Sequence, residues 1–169
     1  MPVYMLCGQI ANFKTESLIE TEKIPYALNS KLKKSILIKS AEEVEERFHA
    51  RYNAKQKTYR YIINNSKQGT AIYRDLEYHM PLKLDVKSMQ KAVKFFEGEH
   101  DFSSFKASGT SSKSSVRTIY KAEVLEDGER IKIELTGNGF LYNMVRIIAG
   151  TLVEVGLRKN KIKRYSRYN

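Results

Sequence analysis

Apolar and polar residues alternate in "KQKTYRYII", with Tyr59, Tyr61 and Ile63 on one face and Thr58, Arg60 and Ile62 on the other. That period of two predicts a strand. Upstream, "KLKKSILIKSAEEV" holds a short β-like run at Ile36, Leu37 and Ile38, followed by an acidic stretch through Glu46. The period changes in "LDVKSMQKAVKFFEGEHDF", where Met89, Ala92, Val93 and Phe96 fall at helical spacing. With Asp85 as N-cap and Gly98 as a stop, an amphipathic helix is predicted there. Alternation returns in "VRTIYKAEVLEDGERIKIEL". Val116, Thr118, Tyr120, Ala122 and Val124 make one face of a strand, Asp127-Gly128 turns the chain, and Ile131, Ile133 and Leu135 lie on the returning strand of an antiparallel hairpin. In "GNGFLYNMVRIIAGTLVEVG", residues Phe140, Met144, Ile147, Ile148, Leu152 and Val155 recur at three- and four-residue steps. This segment reads mainly as a helix resting that face on a sheet, while Tyr142 and Arg146 share a different face. The order of elements predicts an α+β fold, a largely antiparallel sheet with helices packed on one side. With 169 residues the chain suits one domain, taken as residues 1–169.

Charge narrows the partners. Thirty Lys plus Arg against 19 Asp plus Glu leave a net charge of +11, so polyanions come first, nucleic acid ahead of an anionic membrane. Asn143, Arg146 and Glu154 interrupt the most apolar stretch, which argues against membrane insertion. The N-terminus has no basic segment followed by an apolar run of signal-peptide length, and the single Cys7 cannot close an internal disulfide. A reducing cytoplasm is the expected compartment. One cysteine and three scattered histidines, His49, His79 and His100, match no zinc spacing, so no metal is expected. Neither a G-x-S-x-G, a P-loop nor a dinucleotide fingerprint occurs, and no organic cofactor is expected either. The serine-rich "KASGTSSKSS" at 106–115 reads as a mobile basic loop.

Two features carry candidate chemistry. "ARYNAKQKTYRY" interleaves Arg51, Lys55, Lys57 and Arg60 with Tyr52, Tyr59 and Tyr61. Cations reach phosphates while flat rings stack on unpaired bases, the usual way of holding single-stranded or extruded nucleotides. A half-buried strand with tyrosines in the core and cations in solvent fits the periodicity equally well, and both readings stay open. The second feature is Arg146, set between Val145 and Ile147. A guanidinium buried there requires a carboxylate, a phosphate or several carbonyl oxygens. Alternatively its head reaches water past Tyr142.

Three blocks, "KTYRYII", "GEHDFSSF" with "SVRTIY" behind it, and "GNGFLYNMVRIIAGTLVEVG", together resemble the bacterial tRNA pseudouridine synthase A family. "GQIANF" and "FHARYNA" extend the resemblance in the expected order, from about Gly8 to Gly156. It implies an isomerase that turns uridines of the tRNA anticodon stem-loop into pseudouridine with neither metal nor organic cofactor. The target base is flipped out of the stack, an aspartate helps break the glycosidic bond, and the uracil is rejoined through carbon. Tyr59 matches the tyrosine that stacks on the base, and Arg146 the arginine that pairs with the aspartate. His49, Arg51, Lys57, Arg60, Arg117 and Asn143, in or beside these blocks, are the expected RNA contacts. The resemblance also implies a homodimer.

The chain departs from the family pattern at both ends. Members carry a G-R-T-D-x-G-V-H-A-like segment just before the G-Q-x-A-N-F block. An ungapped count back from Gln9 puts its nucleophilic aspartate on Met1, and "MPVYMLCG" keeps only Gly8. The other end, "GLRKNKIKRYSRYN", stops before the family's late G-L-Y-L-like strand. The expectation is a synthase-like domain truncated at both ends, which binds RNA but turns over only if a separate N-terminal fragment supplies the aspartate. The alternative is a non-catalytic RNA-binding module or a decayed gene product.

Overall fold

The computed structural model describes residues 8–109 and 114–165, with side chains described as far as Leu157. It falls into two compact units, Gly8–Ala54 and the part from Lys55 onward.

The smaller unit contains one short helix, α1 (Ile24–Asn29), opened by Pro25, whose missing N–H costs nothing in a first turn. Residues 36–38 are not a strand, contrary to their β-like composition. The Asn29 amide takes both backbone groups of Ile38, donating to its carbonyl at 2.9 Å and accepting from its N–H at 2.8 Å. A side chain thus supplies the pairing that a neighbouring strand would otherwise make.

The larger unit is built on five strands: β1 (Lys57–Asn64), β2 (Tyr78–His79), β3 (Gly98–Asp101), β4 (Val116–Asp127) and β5 (Arg130–Gly137). Their spatial order is β2-β1-β5-β4-β3. Every neighbouring pair is antiparallel except the two-residue β1–β2 contact, so the sheet is mixed but largely antiparallel, within the α+β class that the pattern predicts. Gly128, at φ +60°, begins the two-residue turn between β4 and β5. Helix α2 (Val86–Val93) starts at Asp85, whose carboxylate accepts the Ser88 N–H, and passes into a 3-10 turn at Lys94–Phe96. Helix α3 runs from Met144 to Tyr165. Ile63, Ile119, Ala122, Val124, Ile131, Ile133 and Leu135 of the sheet share one core with Met89 and Val93 of α2 and with Met144, Ile148 and Leu152 of α3.

Two predicted faces need correction. Val116, Thr118, Tyr120, Ala122 and Val124 do not line up on one side of β4. Ile119 pairs with Gly137 and Lys121 with Thr136, so Tyr120 is an extra residue, a β-bulge. An inserted residue reverses the phase of a period-two pattern. Ile119 therefore points into the core before the bulge and Ala122 and Val124 after it, while Val116 and Tyr120 are exposed. The second correction concerns α3, whose buried stripe is Met144, Val145, Ile148, Ala149, Leu152, Val153 and Leu157. Ile147 and Val155 are only half-buried, and Phe140 lies before the helix in a loop. No described helix is long and apolar enough to cross a membrane.

Candidate functional site

The candidate residues of the larger unit gather where β1 begins, β5 ends and β4 enters the sheet. Tyr59 stands opposite Leu135 and, by the alternation of β1, on the face that carries Ile63 into the core. It is half-buried, and its ring meets Phe140 edge-on, with centroids 5.0 Å apart and planes at 79°. That is a favoured aromatic geometry. Lys57, exposed at the start of β1, pairs with Gly137.

Phe140 arrives on a short loop anchored at several points. At Gly137, β5 comes so close to β4 that a Cβ would sit 2.6 Å from the Thr118 carbonyl oxygen. Next, the Asn138 N–H donates to that carbonyl at 3.0 Å, and the Thr118 N–H donates back to Asn138 Oδ1 at 3.0 Å. The Tyr142 carbonyl accepts the Ala107 N–H at 3.1 Å. Asn143 then takes φ +58°, a left-handed conformation that asparagine tolerates better than most residues, and its carbonyl accepts the Ile147 N–H as α3 begins. Arg146 follows on the first turn of α3, half-buried. Arg117 on β4 lies beside the same loop. Its Nη1 donates to the carbonyls of Ser114 and Val116, at 3.0 and 2.6 Å, and its Nε would be 3.6 Å from a Cβ at Gly139.

Arg60 points to the other face of the sheet from Tyr59, as strand alternation requires, and its Nε lies 2.6 Å from Glu134 Oε1 on the neighbouring strand. His49 and Arg51 belong to the smaller unit, where "FHARYNA" forms a turn. His49 Nδ1 accepts the N–H groups of Arg51 and Tyr52, the Asn53 amide oxygen accepts the His49 N–H, and the imidazole rests 4.1 Å from the Tyr52 ring. Ala50 donates to Asn12 Oδ1 at 2.9 Å, joining this turn to the "GQIANF" block. Met1, the position to which the aspartate counts, lies outside the described residues.

Comparison with known proteins bears on this arrangement. Residues 92–168 match the family model for tRNA pseudouridine synthase. The chain is 52% identical to the tRNA pseudouridine synthase A of Acetivibrio thermocellus, over 90% of this chain and 62% of that protein. Identity to the synthase A of Ruminiclostridium cellulolyticum is 53%, over 90% of this chain and 62% of the relative. For that of Caldicellulosiruptor saccharolyticus it is 54%, over 91% and 63%. The chain is thus similar in sequence to the tRNA pseudouridine synthases. It spans about three fifths of the length of these curated relatives.

Residue pattern alone gives no individual role to Gly137, Asn138 or Phe140. The signal that marks them is a strand ending in two glycines around an asparagine, directly before an aromatic. Away from the loop, Glu97 closes the ladder beside the bulge. Its carboxylate accepts from Lys94 Nζ at 2.8 Å and from the fully buried Ala122 N–H at 2.9 Å. The Lys94 hydrogen bond first, then that of Ala122, hold its carboxyl below the ordinary glutamate range. Among the described residues, no group of three or more His, Cys, Asp or Glu side chains is arranged to hold a metal ion.

Proposed function

We propose that this chain forms the uridine-holding part of a tRNA pseudouridine synthase acting on the anticodon stem-loop in the cytoplasm, in a homodimeric enzyme. One observation carries the reading. The loop that braces Tyr59 through Phe140 is also the loop that opens α3 and delivers Arg146 on its first turn. The Tyr59 ring stacks on the flipped uracil, which offsets the few kcal/mol that extrusion costs, by roughly 1–3 kcal/mol per stacked base. Lys57, Arg117 and Asn143 border the same end of the sheet and contact the RNA there. Arg60 on the sheet, and His49 and Arg51 in the smaller unit, are the further RNA contacts of this reading.

Arg146 provides a permanent positive charge for the aspartate that acts at the sugar, favouring its ionised form. In the reaction the N1–C1′ bond breaks, a C5–C1′ bond forms, the C5 proton leaves to solvent and N1 takes up a proton. No described acid of this chain matches that aspartate in sequence. Asp101 accepts the Ser103 N–H at 2.9 Å in a turn, and Glu154 is exposed on α3. The acid comes instead from a G-R-T-D segment of the kind that precedes the "GQIANF" block in the family. Binding and turnover therefore separate, because stacking and phosphate contacts do not need the nucleophile.

A stem-loop RNA carrying tritium at C5 of uridine tests this. The 169-residue chain binds the RNA without releasing tritium, and an added N-terminal fragment bearing G-R-T-D starts the release. Release by the chain alone would show that the external acid is dispensable. Failure to bind the stem-loop at low salt would remove the RNA reading altogether.

A further inference from the structure

Asn138, to which the resemblance assigns no role, sits where β5 leaves the sheet. Ile119 and Gly137 form the last rung between β4 and β5. A continuing ladder would next pair Thr118 with Asn138 through both backbone groups of each. Only half of that rung is made by the backbone, the Asn138 N–H to the Thr118 carbonyl at 3.0 Å. The other half comes from Oδ1 of the Asn138 side chain, which accepts the Thr118 N–H at 3.0 Å in place of the Asn138 carbonyl. Thr118 keeps both hydrogen bonds while the main chain is free to turn out of the sheet. Glycine at 137 lets the strands approach closely enough for this, since any Cβ there would collide with the Thr118 oxygen at 2.6 Å.

Phe140, two residues farther on, reaches Tyr59 from this anchor. Tyr59 is half-buried at the end of the sheet, and Phe140 meets its ring edge-on. We propose that Asn138 is a positioning residue for base stacking: its side chain replaces a strand rung, fixes the loop Asn138–Asn143, and so holds Phe140 against Tyr59 with the ring plane set for an incoming uracil. The proposal rests on the reading of Tyr59 as the stacking platform. It also explains the residue type, because the position needs a short side chain with an acceptor oxygen two bonds beyond Cβ. Aspartate keeps such an oxygen and alanine does not.

The test uses the 169-residue chain and an anticodon stem-loop RNA with 2-aminopurine beside the target uridine, which brightens when the uridine leaves the stack. Affinity and brightening are measured together, alongside a urea melt. Tyr59→Leu is expected to lower affinity about tenfold. Asn138→Ala and Phe140→Leu are each expected to lower it roughly threefold to tenfold and to dim the 2-aminopurine signal. Neither adds to the loss in a Tyr59→Leu background, and Asn138→Asp retains most of the parent affinity. Should Asn138→Ala fail to fold, Phe140→Leu carries the same comparison. Losses that simply add to that of Tyr59→Leu, or parental affinity and brightening in both Asn138→Ala and Phe140→Leu, overturn the proposal while leaving the platform intact. Parental affinity in Tyr59→Leu removes the platform and this proposal with it.

Discussion

Replacing Gly137 by alanine adds one methyl group at the closest approach of β4 and β5. The new Cβ would lie 2.6 Å from the Thr118 carbonyl oxygen, 2.9 Å from Ile119 Cδ1 and 3.4 Å from Ile119 Cα. The isoleucine methyl can rotate only into a packed core, since Ile119 is 1% exposed, and the carbonyl belongs to the backbone. Reaching an ordinary contact of about 3.5 Å would move the strands apart by roughly 0.9 Å. That movement loosens the Asn138–Thr118 pair, two hydrogen bonds worth about 1 kcal/mol each. Overpacking adds about 1–3 kcal/mol, and the smaller unfolded-state entropy of alanine returns about 0.4–1 kcal/mol. The expected net loss is about 2–4 kcal/mol, serious against a usual stability of roughly 5–15 kcal/mol but compatible with folding. Urea denaturation measures it, with Gly139→Ala as the control. There a Cβ meets only the Arg117 side chain, at 3.6 and 3.8 Å, so the change should stay within about 0.5 kcal/mol. If Gly137→Ala matched Gly139→Ala, the close approach would have no energetic content and the anchored-loop argument would fail.

Three further outcomes follow from the same structure. Glu97→Ala leaves the buried Ala122 N–H without its acceptor and is expected to cost about 1–3 kcal/mol in a urea melt. Because the Glu97 carboxyl is lowered by its Lys94 and Ala122 hydrogen bonds, the unfolded chain binds its proton more readily than the folded one. Its stabilising contribution is then complete above the ordinary glutamate range and is lost as pH falls through the lowered folded value. The acid-side drop in stability should be shallower in Glu97→Gln than in the parent, and parallel curves would refute the assignment. Arg130→Ala removes the counter-charge from the Glu77 carboxylate, which is 6% exposed, lies 2.6 Å from Arg130 Nε and keeps only a long 3.4 Å hydrogen bond from the Asn64 amide among the described residues, and should cost about 3 kcal/mol. Replacing both partners by apolar residues should recover most of that loss, and an equal loss in the double variant would show the charge to be irrelevant. Stem-loop affinity should fall linearly in log–log form with added salt, by roughly 0.7 per phosphate contact for single-stranded segments; a flat titration would deny the phosphate contacts.

The sequence by itself determined the element types wherever a period persists over several residues. β1, α2 and the β4–β5 hairpin follow from alternation, helical spacing, the Asp85 cap and the Gly128 turn, because these signals act within a few residues of chain. The blocks that carry the resemblance single out Tyr59 and Arg146 as candidates from residue type and order alone. Tertiary structure decided everything that depends on a second chain segment. The bulge at Tyr120 is defined only by the pairing of β4 with β5, and no local pattern in β4 announces which residue is extra. Ile36–Ile38 has strand-like residues, yet Asn29 occupies the backbone groups a partner strand would need. In the same way, the bracing of Tyr59 by Phe140 and the substitution of the Asn138 side chain for a rung of sheet are contacts between residues 20 to 81 positions apart. Periodicity records which face a residue turns, whereas what stands opposite that face is fixed only when distant segments close-pack and their backbone groups must all find partners.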